Sequence, residues 1–355
     1  MSLKKINQIK KTEAYLVTDK ININYLSNFT GSSGVLLLTK TKSYLLTDFR
    51  YEKVAKNQLP SKTELIITAT PLEDLQTLLK KNNITTVYFE ENDLTYRKYQ
   101  KFKKSLKKIK FLPAESPTLV NRVQKTPAEI KLIIKAQRIA EKTFKDVRKK
   151  IKIGQTEKEI AWEIEKMGRE NGADDVSFPP IVAFGNNSSS PHHQNSSKKL
   201  KKGDLILIDM GLKYKAYCSD MTRILFTAPP TSKQRKIYQI VLKAQKEAIK
   251  KLKPGITGEK ADKVARDIIA EAGYEKEFGH SLGHGIGLQV HEAPYLSTRY
   301  PKPIPNNSVV TVEPGIYLQN SFGIRIEDMV LVKHNKVESI TKIPTKIENL
   351  ILSIR

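Results

Sequence analysis

The sequence predicts a mixed α/β (α+β) protein of two domains, residues 1–122 and 123–355. Three observations point there. A length of 355 residues suits two average domains better than one. Up to about residue 120, short β-rich runs alternate with helical stretches, the pattern of an α/β layer. Beyond that point the order is helix, helix, hairpin, helix, helix, hairpin, an approximate two-fold repeat.

In the first domain, TEAYLVT, GVLLLT, SYLLT, TELIITA and TTVYFE read as strands. FRYEKVAKNQL and LEDLQTLLKKN read as the helices among them. Neither a metal-ligand cluster nor a nucleophile–base pair is recognisable there. Pro113, Pro117 and Pro127 punctuate the connection LPAESPTLVNRVQKTPAEI. Thr126, with Pro127 at the first helical position and Glu129 at the third, opens a long amphipathic helix as a capping box. Thr156 opens a second helix, closed at Gly172. Residues 232–252 and 257–272 supply the second helix pair.

Composition excludes some functions. No apolar run is long enough to span a bilayer, and MSLKKINQIKK lacks an apolar signal core. The single cysteine, Cys218, leaves no internal disulfide and fits a reducing, cytoplasmic setting. The net charge of +25 invites a nucleic-acid reading. However, its lysines are spread along the chain without aromatic interleaving, and no nucleic-acid motif is present. The expectation is therefore no specific nucleic acid and no membrane partner.

The chemistry lies in residues 204–332. Asp209 in LILIDMG, Asp220 in YCSDMTR, His284 in GHSLGHGIGLQVHE, Glu313 in TVEPGIY and Glu327 in GIRIEDMVLV form an oxygen-rich ligand set. Such a set suits two hard or borderline divalent cations. A hairpin turning at 214–215 would put Asp209 directly opposite Asp220, with Cβ atoms ~5 Å apart. A turn centred on Asn320 would likewise put Glu313 opposite Glu327. Facing like charges destabilise a sheet unless a cation separates them. Cys218, two residues from Asp220, is expected to line the same site as a small residue. Asp328 alternates to the opposite face, whereas Arg325 shares the face of Glu327 and can hold carboxylates. His280 and His284 have helical zinc-motif spacing, but Gly279, Gly283, Gly285 and Gly287 argue for a loop entering a short strand.

On these residues the chain resembles the pita-bread metallopeptidases: methionine aminopeptidase, prolidase and Xaa-Pro aminopeptidase. The resemblance covers essentially the whole chain. NINYLSNFTGSSGVLLLT and YLLTDFRY resemble the creatinase-type N-terminal domain of prolidases and Xaa-Pro aminopeptidases, which methionine aminopeptidases lack. The resemblance implies a creatinase-type domain followed by a pita-bread domain, and a homodimer. It implies two divalent metal ions held by Asp209, Asp220, His284, Glu313 and Glu327, with Asp220 and Glu327 bridging. The carboxylate-heavy shell makes Mn²⁺ the first choice, with Co²⁺ or Zn²⁺ able to substitute.

It also implies roles around the metals. Glu313 would move the proton, and His192, His280 and His291 would assist catalysis. His192, His291 and Arg325 would meet the substrate, although His193 competes with its neighbour His192. The implied reaction releases the N-terminal residue from proline-containing peptides with proline second. The alternative is an Xaa-Pro dipeptidase, for which Arg299 could receive the free carboxylate. A metal-free pita-bread binding protein is the remote alternative, and the complete ligand set argues against it.

Overall fold

The computed structural model describes residues 8–334 and 336–353. The chain divides into two compact units between Arg122 and Val123.

The first unit holds strands β1 (Glu13–Val17), β2 (Val35–Thr39), β3 (Ser43–Thr47), β4 (Thr63–Ile67), β5 (Thr86–Glu90) and β6 (Lys110–Ala114). They form one sheet in the order β4-β3-β2-β1-β5-β6. Strands β1 to β3 pair antiparallel, and β4, β5 and β6 join in parallel. Helices α1 (Lys20–Ser27), α2 (Glu52–Gln58), α3 (Pro71–Lys81) and α4 (Tyr96–Ser105) accompany the sheet. Side chains alternate between two apolar clusters. On β1, Ala14 and Leu16 join one cluster, while Tyr15 and Val17 join the other. Both sheet faces are thus covered, as parallel pairing requires.

Helix α1, strand β6 and helix α4 of this unit lie outside the sequence expectation. Strand β6 carries Pro113, which its edge position tolerates because no ladder bond is lost there. Helix α4 hides in a basic run, where Tyr99 and Phe102 alone pack on the core. At the end of β5, buried Glu90 accepts from Thr18 N and Asp19 N (both 2.9 Å), Asn22 Nδ2 (2.6 Å) and Ser116 Oγ (2.8 Å). Burial outweighs these donors and holds the Glu90 carboxyl above its ordinary range.

The short helix α5 (Leu119–Val123) ends at the division, and the second unit follows. Its first half has α6 (Pro127–Lys150), α7 (Glu157–Glu170), β7 (Asp175–Val176) and β8 (Ile181–Phe184). A hairpin then has arms β9 (Leu205–Met210) with β10 (Leu212–Tyr214), and β11 (Tyr217–Cys218) with β12 (Met221–Phe226). The second half has α8 (Ser232–Lys251), α9 (Gly258–Glu271), β13 (Gly283–Gly285) and β14 (Glu292–Leu296). Its hairpin has arms β15 (Ser308–Val312) with β16 (Gly315–Leu318), and β17 (Phe322–Arg325) with β18 (Asp328–Val332), and β19 (Val337–Ser339) flanks β18. Thr126, Thr156 and Thr231 start α6, α7 and α8 with complete capping boxes. The four helices pack as pairs, α6 on α7 and α8 on α9. Ile139, Ile160, Leu207, Val241, Ile269 and Val330 belong to the one large core. No helix among the described residues is long and apolar enough to cross a membrane.

The two hairpins decide where the acids go. In the second, the expected register holds on both sides of the break. Gly315 pairs with Arg325 and Val312 with Asp328, so Glu313 and Glu327 stand at matched positions between the paired segments. Asn320 supplies the left-handed turn residue (φ 58°). In the first hairpin the turn falls one residue later than expected, at Lys215–Ala216, both with positive φ. Asp209 therefore faces Thr222, and the expected Asp209–Asp220 pairing is corrected. Neither Lys nor Ala announces a left-handed turn, so the sequence offers no clear centre. The slip moves each partner by two places, so the acids keep their face. At Gly211, between β9 and β10, an added Cβ would lie 2.0 Å from Ser219 O. Only glycine allows this close crossing of the two arms.

Candidate metal centre

Asp209 is the last residue but one of β9, Asp220 directly precedes β12, His284 is the middle residue of β13, and Glu313 and Glu327 occupy the breaks of the second hairpin. The structure brings these five side chains to one cavity of about 550 Å³. Ligand atoms of Asp220, His284 and Glu327 all lie within 4.8 Å of one another. His284 Nε2 is 3.2 Å from Glu313 Oε1 and 3.8 Å from Asp220 Oδ2.

Hydrogen bonds aim the groups. His284 Nδ1 donates to Gly285 O (3.1 Å), which turns Nε2 towards the carboxylates. Thr222, opposite Asp209, donates from Oγ1 to Glu327 Oε2 (2.7 Å). Arg325 reaches across to the first hairpin, donating to Asp209 Oδ2 (2.6 Å) and to Thr222 Oγ1 (3.0 Å). Its Nη1 donates to the Tyr317 hydroxyl (2.8 Å), which lies 2.9 Å from His280 Nε2. Since that hydroxyl accepts from Arg325, its own proton goes to His280 Nε2, and His280 Nδ1 donates to Ser281 O (2.8 Å). The two histidines four residues apart are thereby distinguished. His284 turns Nε2 to the acids, 3.2 Å from Glu313 Oε1, whereas both ring nitrogens of His280 are engaged by Tyr317 and Ser281.

The electrostatics of this cluster are strained without cations. Burial, and then the neighbouring carboxylates, hold Asp220 and Glu327 well above the ordinary carboxyl range. Burial raises Asp209 too, and Arg325 offsets only part of it. Glu313 is also pushed up by burial, but the His284 imidazole overrides this and brings it down to about 2. Asp209 Oδ1 and Asp220 Oδ1 are buried with no hydrogen-bond partner. Two orphaned anionic oxygens beside a ring nitrogen and two further carboxylates fit divalent cations, which would satisfy all of them.

The histidines of the loops separate as well. His192 and His291 line the cavity, and the His291 ring meets the His284 ring edge-on at 4.3 Å. Burial, and then the nearby His284, hold His291 below its ordinary pKa. His193 instead turns to buried Glu157 (2.7 Å). Phe178, Pro179, Ile181, Val290 and Tyr295 give the cavity an apolar wall.

Several residues differ from expectation or escaped it. Cys218 is absent from the lining and packs among Ile133, Ile286, Val309 and Met329. The sheet carrying it breaks before Asp220, so a shared strand face does not carry its side chain to the site. Arg299 is exposed and does not line the cavity. Arg325 ends β17, just before the break that carries Glu327, and holds Asp209 on the other hairpin. Asp328 pairs on the reverse face with Arg223 (2.6 Å), a fully buried arginine that also donates to Glu327 O (2.7 Å) and Ile343 O (2.8 Å). Thr222, Tyr317 and Arg223 were not singled out. The available signal was their phase: Thr222 and Asp220 are two apart, and Tyr317 follows Glu313 by four.

Comparison with known proteins agrees with this architecture. The model of metallopeptidase family M24 matches residues 131–334, and that of the creatinase/prolidase N-terminal domain matches residues 2–123. The chain belongs to metallopeptidase family M24. The crystal structure of an X-Pro aminopeptidase from Thermotoga maritima is 36% identical, with a TM-score of 0.91, covering 99% of this chain and 100% of the other. An Xaa-Pro dipeptidase structure from Bacillus anthracis is 38% identical, with a TM-score of 0.92, covering 96% and 95%. An Xaa-Pro dipeptidase of Pyrococcus horikoshii is 35% identical over 332 residues, 93% of each chain. As an M24 protein the chain has an N-terminal creatinase-like domain, a C-terminal pita-bread domain and a hydrolase activity on Xaa-Pro bonds.

Proposed function

We propose that the chain is a two-metal Xaa-Pro aminopeptidase, releasing the first residue of peptides that carry proline second. The observation that carries this reading is the pair of orphaned aspartate oxygens beside His284 Nε2 in an apolar-walled cavity. Asp209, Asp220, His284, Glu313 and Glu327 would together hold the cations. Mn²⁺ suits this oxygen-rich shell best, and Co²⁺ or Zn²⁺ could replace it. When bound, the cations supply Lewis acidity to the scissile carbonyl and to the attacking water.

The side chains do the rest. Glu313 accepts a proton at its carboxylate and returns it to the leaving proline nitrogen. His291, kept neutral by burial, offers a ring N–H to the oxygen that gains charge, and His192 offers a second. Arg325 and Thr222 fix Asp209 and Glu327 in place, and Tyr317 fixes His280. Phe178, Pro179, Ile181 and Tyr295 exclude water and accept apolar substrate surface.

Substrate length follows from charge. A strict dipeptidase needs a cation for the proline carboxylate. Among the described lining residues, Arg325 is the only lysine or arginine, and it is committed to Asp209, Thr222 and Tyr317. This favours chains longer than a dipeptide. A homodimer suits the N-terminal unit, where Phe49 is 77% exposed and Val54 and Ile67 are also exposed. A lone cysteine without a disulfide suits the cytoplasm.

The deciding experiment compares Gly-Pro with Gly-Pro-Xaa after chelation and Mn²⁺ addition, read by mass spectrometry. Metal-dependent release of glycine from the tripeptide is the expected result. Efficient cleavage of Gly-Pro with an untouched tripeptide would make the protein a prolidase. Full activity after exhaustive chelation would remove the metal reading itself.

A further inference from the structure

Glu157 sits at the first position of α7 and is fully buried, yet the cavity does not use it. Its carboxylate takes five donors from one loop. Oε1 accepts from Phe184 N (2.8 Å) and Asn187 Nδ2 (2.8 Å) at the start of the loop. Oε2 accepts from His193 Nε2 (2.7 Å), Ser196 N (2.9 Å) and Ser196 Oγ (2.6 Å) at its end. A single buried anion thus ties residues 184–187 to residues 193–196. Between these two anchors, Ser188 Oγ accepts from Gly323 N (2.9 Å), and Pro191 O receives Arg325 Nη1 at 3.5 Å. The strapped segment presents Pro191 and exposed His192 to the cavity, and His192 is the polar one, next to the strapped His193.

We propose that Glu157 and His193 are a positioning pair that holds His192 at the substrate end of the cavity. The proposal rests on the substrate-contacting role given to His192 above. A carboxylate taken out of water this completely survives only when saturated with donors, and here nearly every donor comes from the loop. Losing the His193 bond removes one of the three donors to Oε2, the one beside His192, and frees that part of the loop. A ring displaced by ~1 Å from its acceptor loses most of its catalytic value.

The test is a double-mutant cycle on the full chain loaded with Mn²⁺. His192→Ala, His193→Ala and the double variant are assayed on Gly-Pro-Xaa, with metal content measured alongside. His193→Ala should lose on the order of 10- to 100-fold in kcat/KM with both metals retained. In the His192→Ala background the same change should cost nothing further, because the pair acts through His192. Losses that multiply across the cycle would overturn the proposal, as would an unimpaired His193→Ala or one that sheds metal. A fully active His192→Ala would instead refute the role of His192, and the positioning pair with it. Glu157→Gln should repeat the His193→Ala result. If circular dichroism shows that variant unfolded, the half-buried His193 position still decides the question.

Discussion

The two hairpins of the C-terminal unit do the same job with different chemistry. The first offers aspartates, Asp209 and Asp220, near a turn made of Lys215 and Ala216. The second offers glutamates, Glu313 and Glu327, in a break between paired segments whose register is unbroken on either side. The first hairpin brings its acids close by a tight crossing at Gly211, so short side chains suffice. The second keeps its arms in ordinary register, and the extra methylene of each glutamate supplies reach. Neither hairpin is complete alone. Thr222 of the first steadies Glu327, and Arg325 of the second steadies Asp209. One residue along, on the reverse face, Arg223 and Asp328 repeat the cross-tie. The site is a joint between halves, held by both cross-ties.

The largest effect should come from removing an acid that both halves need. Asp220→Asn should cut kcat/KM by ~10³-fold or more, about 4 kcal/mol of barrier, and lower the metal stoichiometry. Plasma emission on the dialysed variant checks this, and a fully loaded, active variant would break the comparison. Next comes the reverse-face tie. Arg223→Met strands Asp328 in the interior and should destabilise the C-terminal unit by about 3–5 kcal/mol, measured by urea unfolding. A loss below about 1 kcal/mol would mean the halves are joined by packing alone. Arg325→Lys keeps the charge but loses the planar fork that reaches Asp209, Thr222 and Tyr317 together. It should weaken metal affinity or kcat by about 10–100-fold, read by metal titration. The smallest effect is at the first turn. Lys215→Asn with Ala216→Gly suits a left-handed two-residue turn and should raise stability by about 0.5–1 kcal/mol without changing kcat. A fall in stability would show that the turn is held by its neighbours rather than by its own preference.

The same contrast explains what could be read from the sequence. The second hairpin was legible because Asn320 announces its turn and the apolar runs on both sides count back to the same pairing. The first was misread by one residue at the turn, since Lys215 and Ala216 are ordinary residues held in left-handed geometry. The four main helices of the C-terminal unit were legible, the first two of them from the caps Thr126 and Thr156. Helix α4 and strand β6 were not, because lysines mask their few buried positions and Pro113 argues against a strand. Ligand identities were visible as acids inside apolar runs. The supporting residues were not, since Thr222, Tyr317 and Arg223 acquire their meaning only from partners about 100 residues away in sequence, or, for Tyr317, from the loop that returns His280.

Glu90, buried at the end of β5, gives the N-terminal unit a property of a different kind. Its carboxyl sits above the ordinary range in the folded chain, chiefly through burial, so folding favours proton uptake there. By linkage, the folded unit gains on the unfolded chain as pH falls from the raised folded value towards the ordinary carboxyl value, and loses that gain as pH rises again. The N-terminal unit therefore carries a small proton reservoir, discharged on unfolding. Hydrogen exchange of β1 and β5 should slow relative to its intrinsic rate as pH is lowered from neutral towards the ordinary carboxyl value, and Glu90→Gln should abolish that trend.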